Sequence, residues 1–164
     1  MFYNVEDYPE IAELAERIDG QFRAIERWMD VVYGDMLMWP EPIHNGLWFV
    51  HPLKWQGEIK DEAFNWLHMP GIVNAGFSWL MPGAWIEPHR GYTGDVVRLH
   101  YGIRCPPGDC AIRVGPALRS RQWHDRKFML FDDTEEHEAW NNTTKARAIL
   151  LLDLDRKAFG IPYA

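Results

Sequence analysis

The sequence predicts a mainly β fold, a sandwich or jelly roll, with N-terminal helices packed outside it. Three observations carry that expectation. From residue 72 onward, short apolar or alternating runs recur between turn residues, about seven of them in roughly 85 residues, a density that suits a sandwich or jelly roll. The residues before them carry a clear helical period. The composition supplies a core: 47% of the 164 residues are hydrophobic and 14% aromatic, with nine Trp, and the 25% that are charged are spread along the chain. That length suits one domain, expected to span 1–164, with 1–71 as helical and loop support and 72–155 as the jelly-roll core.

Between residues 9 and 33, Ile11, Leu14, Ala15, Ile18, Phe22, Ile25, Met29 and Val32 fall on one helical face, predicting one helix or two broken near Asp19-Gly20. Pro9 suits a first helical position, and Glu10, Glu13 and Glu16 sit where the helix dipole favours acids. Residues 34–58 are rich in Trp, Pro and Gly and show no period; loops with a short strand around Leu47–Val50 are expected there. A short helix is expected over 60–68, stopped by Pro70-Gly71. The strand runs are IVNAGFSWL, AWIEPH, VVRLHYGIR, AIRVG, KFMLF, HEAW and ARAILLLDL, separated by PG, YTGD, PPGD, FDDTEE and NNTTK.

Several functions are argued against. A net charge of −7 does not suit a nucleic-acid binder, which needs surplus Lys and Arg to neutralise phosphates. No apolar run approaches the ~20 residues of a membrane span. The opening MFYNVEDYPE lacks the basic start and apolar stretch of a signal peptide, so a cytoplasmic location without a membrane anchor is expected. Cys105 and Cys110, in CPPGDC, are expected to be free thiols, with a disulfide across the turn as the alternative. No HEXXH, P-loop, GXSXG or paired-CXXC pattern occurs.

The candidate functional residues lie in the strand runs. In VVRLHYGIR a period of two puts Arg98, His100, Gly102 and Arg104 on one face and Leu99, Tyr101 and Ile103 on the other; a half-buried strand with its polar face in water is the plain reading. ARAILLLDL is nearly all apolar, as expected of a strand buried on both faces, yet carries Arg147. A buried guanidinium needs an anionic partner. Asp153 shares its face but is six residues, or roughly 20 Å, along the strand. An anionic ligand, or a strand end in water, would satisfy Arg147. His89 in WIEPHRG and His137 in DDTEEHEAW sit at strand ends, where two imidazoles can meet at the mouth of a jelly roll and bind iron. Singly, each is more often a surface or hydrogen-bonded histidine. His44, His51, His68 and His124 show no pattern. The cluster Asp132, Asp133, Glu135 and Glu136 is a solvated loop or a source of a carboxylate near His137.

These pieces line up with one family. FSWLMPGAWIEPHRGYTGDVVRLHYGI followed by FMLFDDTEEHEAWNNTTKARAILLLDL resembles the aspartyl/asparaginyl β-hydroxylase domain over about residues 74–154. The carriers are Pro88-His89-Arg90-Gly91, Arg98-Leu99-His100, the Phe131–Trp140 element and Arg147, in order and at the family's spacings. The resemblance implies an oxygenase with a double-stranded β-helix fold (jelly roll, cupin-like), with His89 and His137 binding iron(II), and Gly91 where the wider superfamily places a carboxylate ligand. Asp95 or the acidic loop would then serve as an outer acceptor for bound water. Arg147, helped by Ser78, would pair with one carboxylate of the cosubstrate 2-oxoglutarate; Arg98 and His100 would hold its chelating end. Dioxygen would be consumed as 2-oxoglutarate is decarboxylated to succinate and a C–H bond is hydroxylated.

The expected substrate is a small amino-acid-like molecule or an Asp/Asn residue in a peptide. Relatives also act on lipid acyl chains. Arg90, Arg104 and Arg113 are candidates for a substrate carboxylate, or plain surface charges. The alternatives are a jelly-roll binding protein that has lost catalysis, and a two-histidine site holding another metal in a non-redox role.

Overall fold

The N-terminal helical period forms two helices, α1 (Pro9–Gly20) and α2 (Phe22–Val32), in a computed structural model that describes residues 1–66, 68–116 and 119–163. Pro9 opens α1, and Ile11, Leu14, Ala15 and Ile18 form its buried face; Ile25, Met29 and Val32 form that of α2. The break falls at Gln21, which leaves helical geometry at φ −105° and ψ 15°.

Among the described residues the strands are β1 (Phe2–Tyr3), β2 (Leu37–Met38), β3 (Trp48–Trp55), β4 (Glu58–Ile59), β5 (Ile72–Leu80), β6 (Trp85–His89), β7 (Val96–Arg104), β8 (Cys110–Val114), β9 (Arg119–Gln122), β10 (Phe128–Phe131), β11 (His137–Asn141) and β12 (Arg147–Asp155). They form two antiparallel sheets. The larger runs β1-β10-β7-β12-β5-β3-β2, with β4 hairpinned onto β3; the smaller runs β6-β11-β8-β9. This is the jelly roll that the turn-punctuated runs predict.

β12 lies near the middle of the larger sheet, between β7 and β5, and its two faces serve two cores. Leu150, Leu152 and Leu154 pack with Leu99, Tyr101 and Phe77 beneath Ile11, Leu14 and Ile18 of α1. Ile149 and Leu151 pack with Leu80, Met129 and Phe131 against Ile86, Ile112 and Ala139 of the smaller sheet. Burial on both faces is why ARAILLLDL shows no alternation.

Four local expectations change. The short strand expected near Leu47–Val50 is eight residues long and belongs to the larger sheet; Pro52 is accommodated because the pairing with β5 slips by one residue between Pro52 and Lys54. The helix expected over 60–68 is a 3₁₀ segment at Glu62–Trp66, and Leu67 lies outside the described residues. β9, whose residues are all exposed, carries no apolar residue that would have marked it. Arg104 does not share the face of Arg98 and His100. A bulge opposite Ala148/Ile149 turns it to the helix side, where it forms ion pairs with Asp30 and Glu26 of α2.

Candidate active site

His89 ends β6 and His137 begins β11, and the two are direct cross-strand partners. Their ring centroids lie 4.1 Å apart. The Nδ1 of His89 is 2.8 Å from the Glu87 carbonyl, and that of His137 is 2.8 Å from the Glu135 carbonyl. A carbonyl only accepts, so each Nδ1 carries the proton and each Nε2 keeps its lone pair. Burial holds His137 below the usual imidazole range; Asp133 opposes that shift and His89 adds to it. His137 is therefore the neutral imidazole that a metal requires.

Asp133 is the residue sequence reasoning left inside a cluster. Its Oδ1 lies 3.3 Å from His137 Nε2 and 2.9 Å from Arg98 Nη1. Its carbonyl accepts from the Gly91 N–H at 2.7 Å, which brings its side chain beside Gly91. A Cβ on Gly91 would land on Asp133 Oδ2 and lie 2.7 Å from its Cγ. Asp95, the other expected outer acceptor, is engaged elsewhere, with Thr93 and Tyr163.

Arg98 is at the cavity, but its charge is already matched. Its Nε donates to Asp153 Oδ1 at 2.8 Å, and Asp133 holds its Nη1. Burial alone would lower its pKa; Asp153 and Asp133 outweigh that and keep it firmly charged. His100, its neighbour on the same face, accepts a hydrogen bond from Trp123 Nε1 at its Nδ1, 3.1 Å away. The proton must then sit on Nε2, which is buried without a partner. Burial, then the charges of Arg147 and Arg98, push His100 well below the usual range, so it is a neutral N–H donor.

Arg147 begins β12 and is 2% exposed. Its guanidinium lies over the Trp123 ring at 4.5 Å, while Nε and Nη1 have no partner. Burial pushes it down to about 10, opposed only by the Cys110 and Cys105 thiols, so at neutral pH it is a buried cation without a carboxylate. Ser78 is buried nearby and accepts from Trp48 Nε1 at 3.0 Å. One narrow cavity is lined by His89, His137, Arg98, His100, Arg147 and Ser78 together. Trp48, Trp123 and Phe131 also line it, and periodicity had not singled them out.

The remaining candidates lie elsewhere. Arg90 donates to the Thr134 carbonyl, and Arg113 pairs with Glu138. Cys105 and Cys110 are free thiols, pushed up by burial to about 12 and about 11.

Among the described residues, no three His, Cys, Asp or Glu side chains form a ready-made metal cage. Two facing imidazoles with free Nε2 lone pairs suit a metal that keeps positions open for a chelating ligand. The unmatched Arg147 and the idle N–H of His100 suit an anionic group on that ligand. The residues present therefore fit iron and 2-oxoglutarate.

Fold and site together define a cupin-like jelly roll with paired histidines over a buried arginine. The chain belongs to the aspartyl/asparaginyl β-hydroxylase family, whose model, described as Aspartyl/Asparaginyl beta-hydroxylase, matches residues 6–157. It is 44% identical over 87 residues to the ornithine lipid ester-linked acyl 2-hydroxylase of Rhizobium tropici, covering 52% of this chain and 30% of that protein. It is 35% identical over 78 residues to the aspartyl/asparaginyl beta-hydroxylase of Homo sapiens, covering 48% and 10%. The chain thus aligns with less than a third of the length of either relative. Among solved structures, a Pseudomonas putida prolyl-4-hydroxylase superposes at a TM-score of 0.58 with 14% identity, covering 84% of this chain and 88% of that one. At that identity, the likeness is one of fold.

Proposed function

We propose that the chain is an iron(II)- and 2-oxoglutarate-dependent hydroxylase, coupling decarboxylation of 2-oxoglutarate to succinate with hydroxylation of a substrate C–H bond. The observation that carries this reading is Arg147: a buried guanidinium with two unpartnered nitrogens, in the same cavity as two metal-ready imidazoles. Among the described residues no carboxylate neutralises it, and a dianionic cosubstrate would supply what they omit.

His89 and His137 would hold iron through their Nε2 atoms. Arg147 would pair with the distal carboxylate of 2-oxoglutarate while Trp123 stacks beneath it. Ser78 would add a hydroxyl donor, and His100 would donate Nε2–H to the cosubstrate. Arg98, already neutralised, holds Asp133 in place beside the histidines. Asp133 would serve as an outer hydrogen-bond acceptor beside the histidine pair, without being a ligand itself. The iron supplies the oxidising chemistry when bound; the protein supplies orientation and a cavity that excludes bulk water.

The names of the relatives carry two substrate classes, an Asp or Asn side chain and a lipid acyl chain. The Asp/Asn-like substrate expected from the sequence requires a cation for its carboxylate, or an amide-binding pair, at the cavity mouth. In the test, protein with iron(II), 2-oxoglutarate and isotopically labelled oxygen is expected to release succinate carrying one label. The His137→Ala variant is expected to release none. Equal succinate from both proteins would overturn the reading.

A further inference from the structure

Arg98 is matched twice. One carboxylate would neutralise it, yet Asp133 stands 2.9 Å from its Nη1 and Asp153 stands 2.8 Å from its Nε. Both acids are 4% exposed. Burying a second carboxylate beside a charge already balanced costs desolvation that neutralisation does not require. Cross-strand register gives that second acid a use.

Asn74, Asp153 and Arg98 form one row: Asp153 on β12 lies directly opposite Asn74 on β5 and Arg98 on β7. At the outer end of the row, the Gln56 N–H in the β3–β4 turn donates to Asn74 Oδ1 at 2.8 Å. That bond orients the Asn74 amide, so its Nδ2 faces Asp153 and donates to Oδ2 at 2.9 Å. Asp153 in turn takes Arg98 side-on, accepting from Nε at 2.8 Å and from Nη2 at 3.3 Å. Two bonds along one edge fix the plane of a guanidinium. Nη1 is left to point out of the row, and it meets Asp133 Oδ1, which lies 3.3 Å from His137 Nε2. That Oδ1 is buried and has no aligned hydrogen-bond donor, so the charge of Arg98 is what holds it there.

We propose that Asn74 and Asp153 are positioning residues for the histidine site. They set the direction of the Arg98 guanidinium, which in turn sets the Asp133 carboxylate beside His137. Neither is among the residues that line the cavity, and both act through Arg98. The proposal rests on the hydroxylase reading for the iron, but the aim of Arg98 is a property of the metal-free protein.

Two measurements test it: nitrogen-15 NMR of the arginine side chains in metal-free protein, and calorimetric iron(II) titration without oxygen. A guanidinium held on both edges rotates slowly, so the wild type is expected to show separate Nη1 and Nη2 signals for Arg98. In Asp153→Asn, whichever way the new amide turns, it sets an N–H against a donor of Arg98. The two signals are then expected to merge, and iron(II) affinity to fall about tenfold, the low end of the usual cost of disturbing groups that support metal ligands. Asn74→Ala leaves both ion pairs of Arg98 in place and keeps the test open should Asp153→Asn fail to fold. It is expected to keep the wild-type melting temperature and to move both readouts the same way, less far. Acids that merely neutralise Arg98 would let Asp153→Asn lower the melting temperature while Asn74→Ala changed nothing. That pattern, or iron(II) affinity unchanged in both variants, would overturn the proposal and leave the hydroxylase reading standing. Merged Arg98 signals in both variants, with a wild type that binds no iron(II), would sustain the aim of Arg98 and remove the hydroxylase reading.

Discussion

The Asp133 carboxylate fills the space into which a side chain at position 91 would project. A Cβ on Gly91 would fall on Asp133 Oδ2, while the Gly91 N–H donates to the Asp133 carbonyl at 2.7 Å. A carboxylate thus stands beside position 91, where Gly91 carries none, and it comes from the loop that precedes β11. Gly91→Ala is expected to push Asp133 away and lower iron(II) affinity about 10- to 100-fold, the usual cost of disturbing a group that supports metal ligands. Adding Asp133→Gly to Gly91→Asp moves the carboxylate back to position 91 and is expected to recover most of that affinity. Metal titration of the three proteins checks this.

Arg147 is expected to destabilise the ligand-free protein. Replacing it with Met removes a buried, unmatched charge and is expected to raise unfolding free energy by about 1–3 kcal/mol. The wild type is expected to gain about 2.7 kcal/mol from 2-oxoglutarate at a hundred times its dissociation constant, and Arg147→Met to gain almost nothing. Denaturant melts with and without 2-oxoglutarate measure both.

The tautomer of His100 depends on Trp123. Trp123→Phe keeps the ring beneath Arg147 but removes the N–H that points at His100 Nδ1. The proton is then free to move to Nδ1, and 2-oxoglutarate affinity is expected to fall about tenfold with iron affinity unchanged. Isotope-shifted imidazole signals in NMR would report the tautomer directly.

Asp132, next to the site, ties the C-terminal segment to the active-site loop. Its Oδ2 meets Arg156 Nη2 at 2.6 Å in full burial, and Thr134 caps its other oxygen. Burial would raise the carboxyl, but the Thr134 and Arg156 hydrogen bonds outweigh it and hold the pKa below its ordinary 3.8. A carboxyl held below its unfolded value stabilises the fold fully above that value; the contribution is lost as pH falls through the folded one. Asp132→Asn is expected to cost about 3–5 kcal/mol at pH 7, because the buried Arg156 keeps its hydrogen bond to the Pro162 carbonyl but loses its carboxylate. The gap to wild type is expected to narrow in acid melts below pH 4, and a gap that stays constant there would contradict this assignment.

Much of this architecture was legible in the sequence, because the strands of the jelly roll are bounded by PG, PPGD and NNTTK turns and α1–α2 carry an unbroken apolar stripe. Illegible elements had physical reasons. β3 hides behind Pro52, which only a bulge makes tolerable, and β9 is polar throughout because both its faces meet water. The bulge that turns Arg104 toward α2 is a register event, invisible to a strict period of two. His89, His137, His100 and Arg147, which line one cavity, were singled out through the family resemblance and not by the period of their strands. Asp133 was not separable from its acidic neighbours, since what distinguishes it is the absence of a Cβ on Gly91, across the fold. The neutralisation of Arg98 by Asp153 depends on cross-strand register.

The most direct measurement is the visible spectrum of the protein with iron(II) and 2-oxoglutarate under strict exclusion of oxygen. Chelation of the metal by the keto acid at the two histidines predicts a weak charge-transfer band that requires both additions. The band is expected to vanish in His89→Ala and His137→Ala, and to need at least tenfold more 2-oxoglutarate in Arg147→Met. No band in the wild type, or a band that survives loss of His137, would contradict the two-histidine iron site.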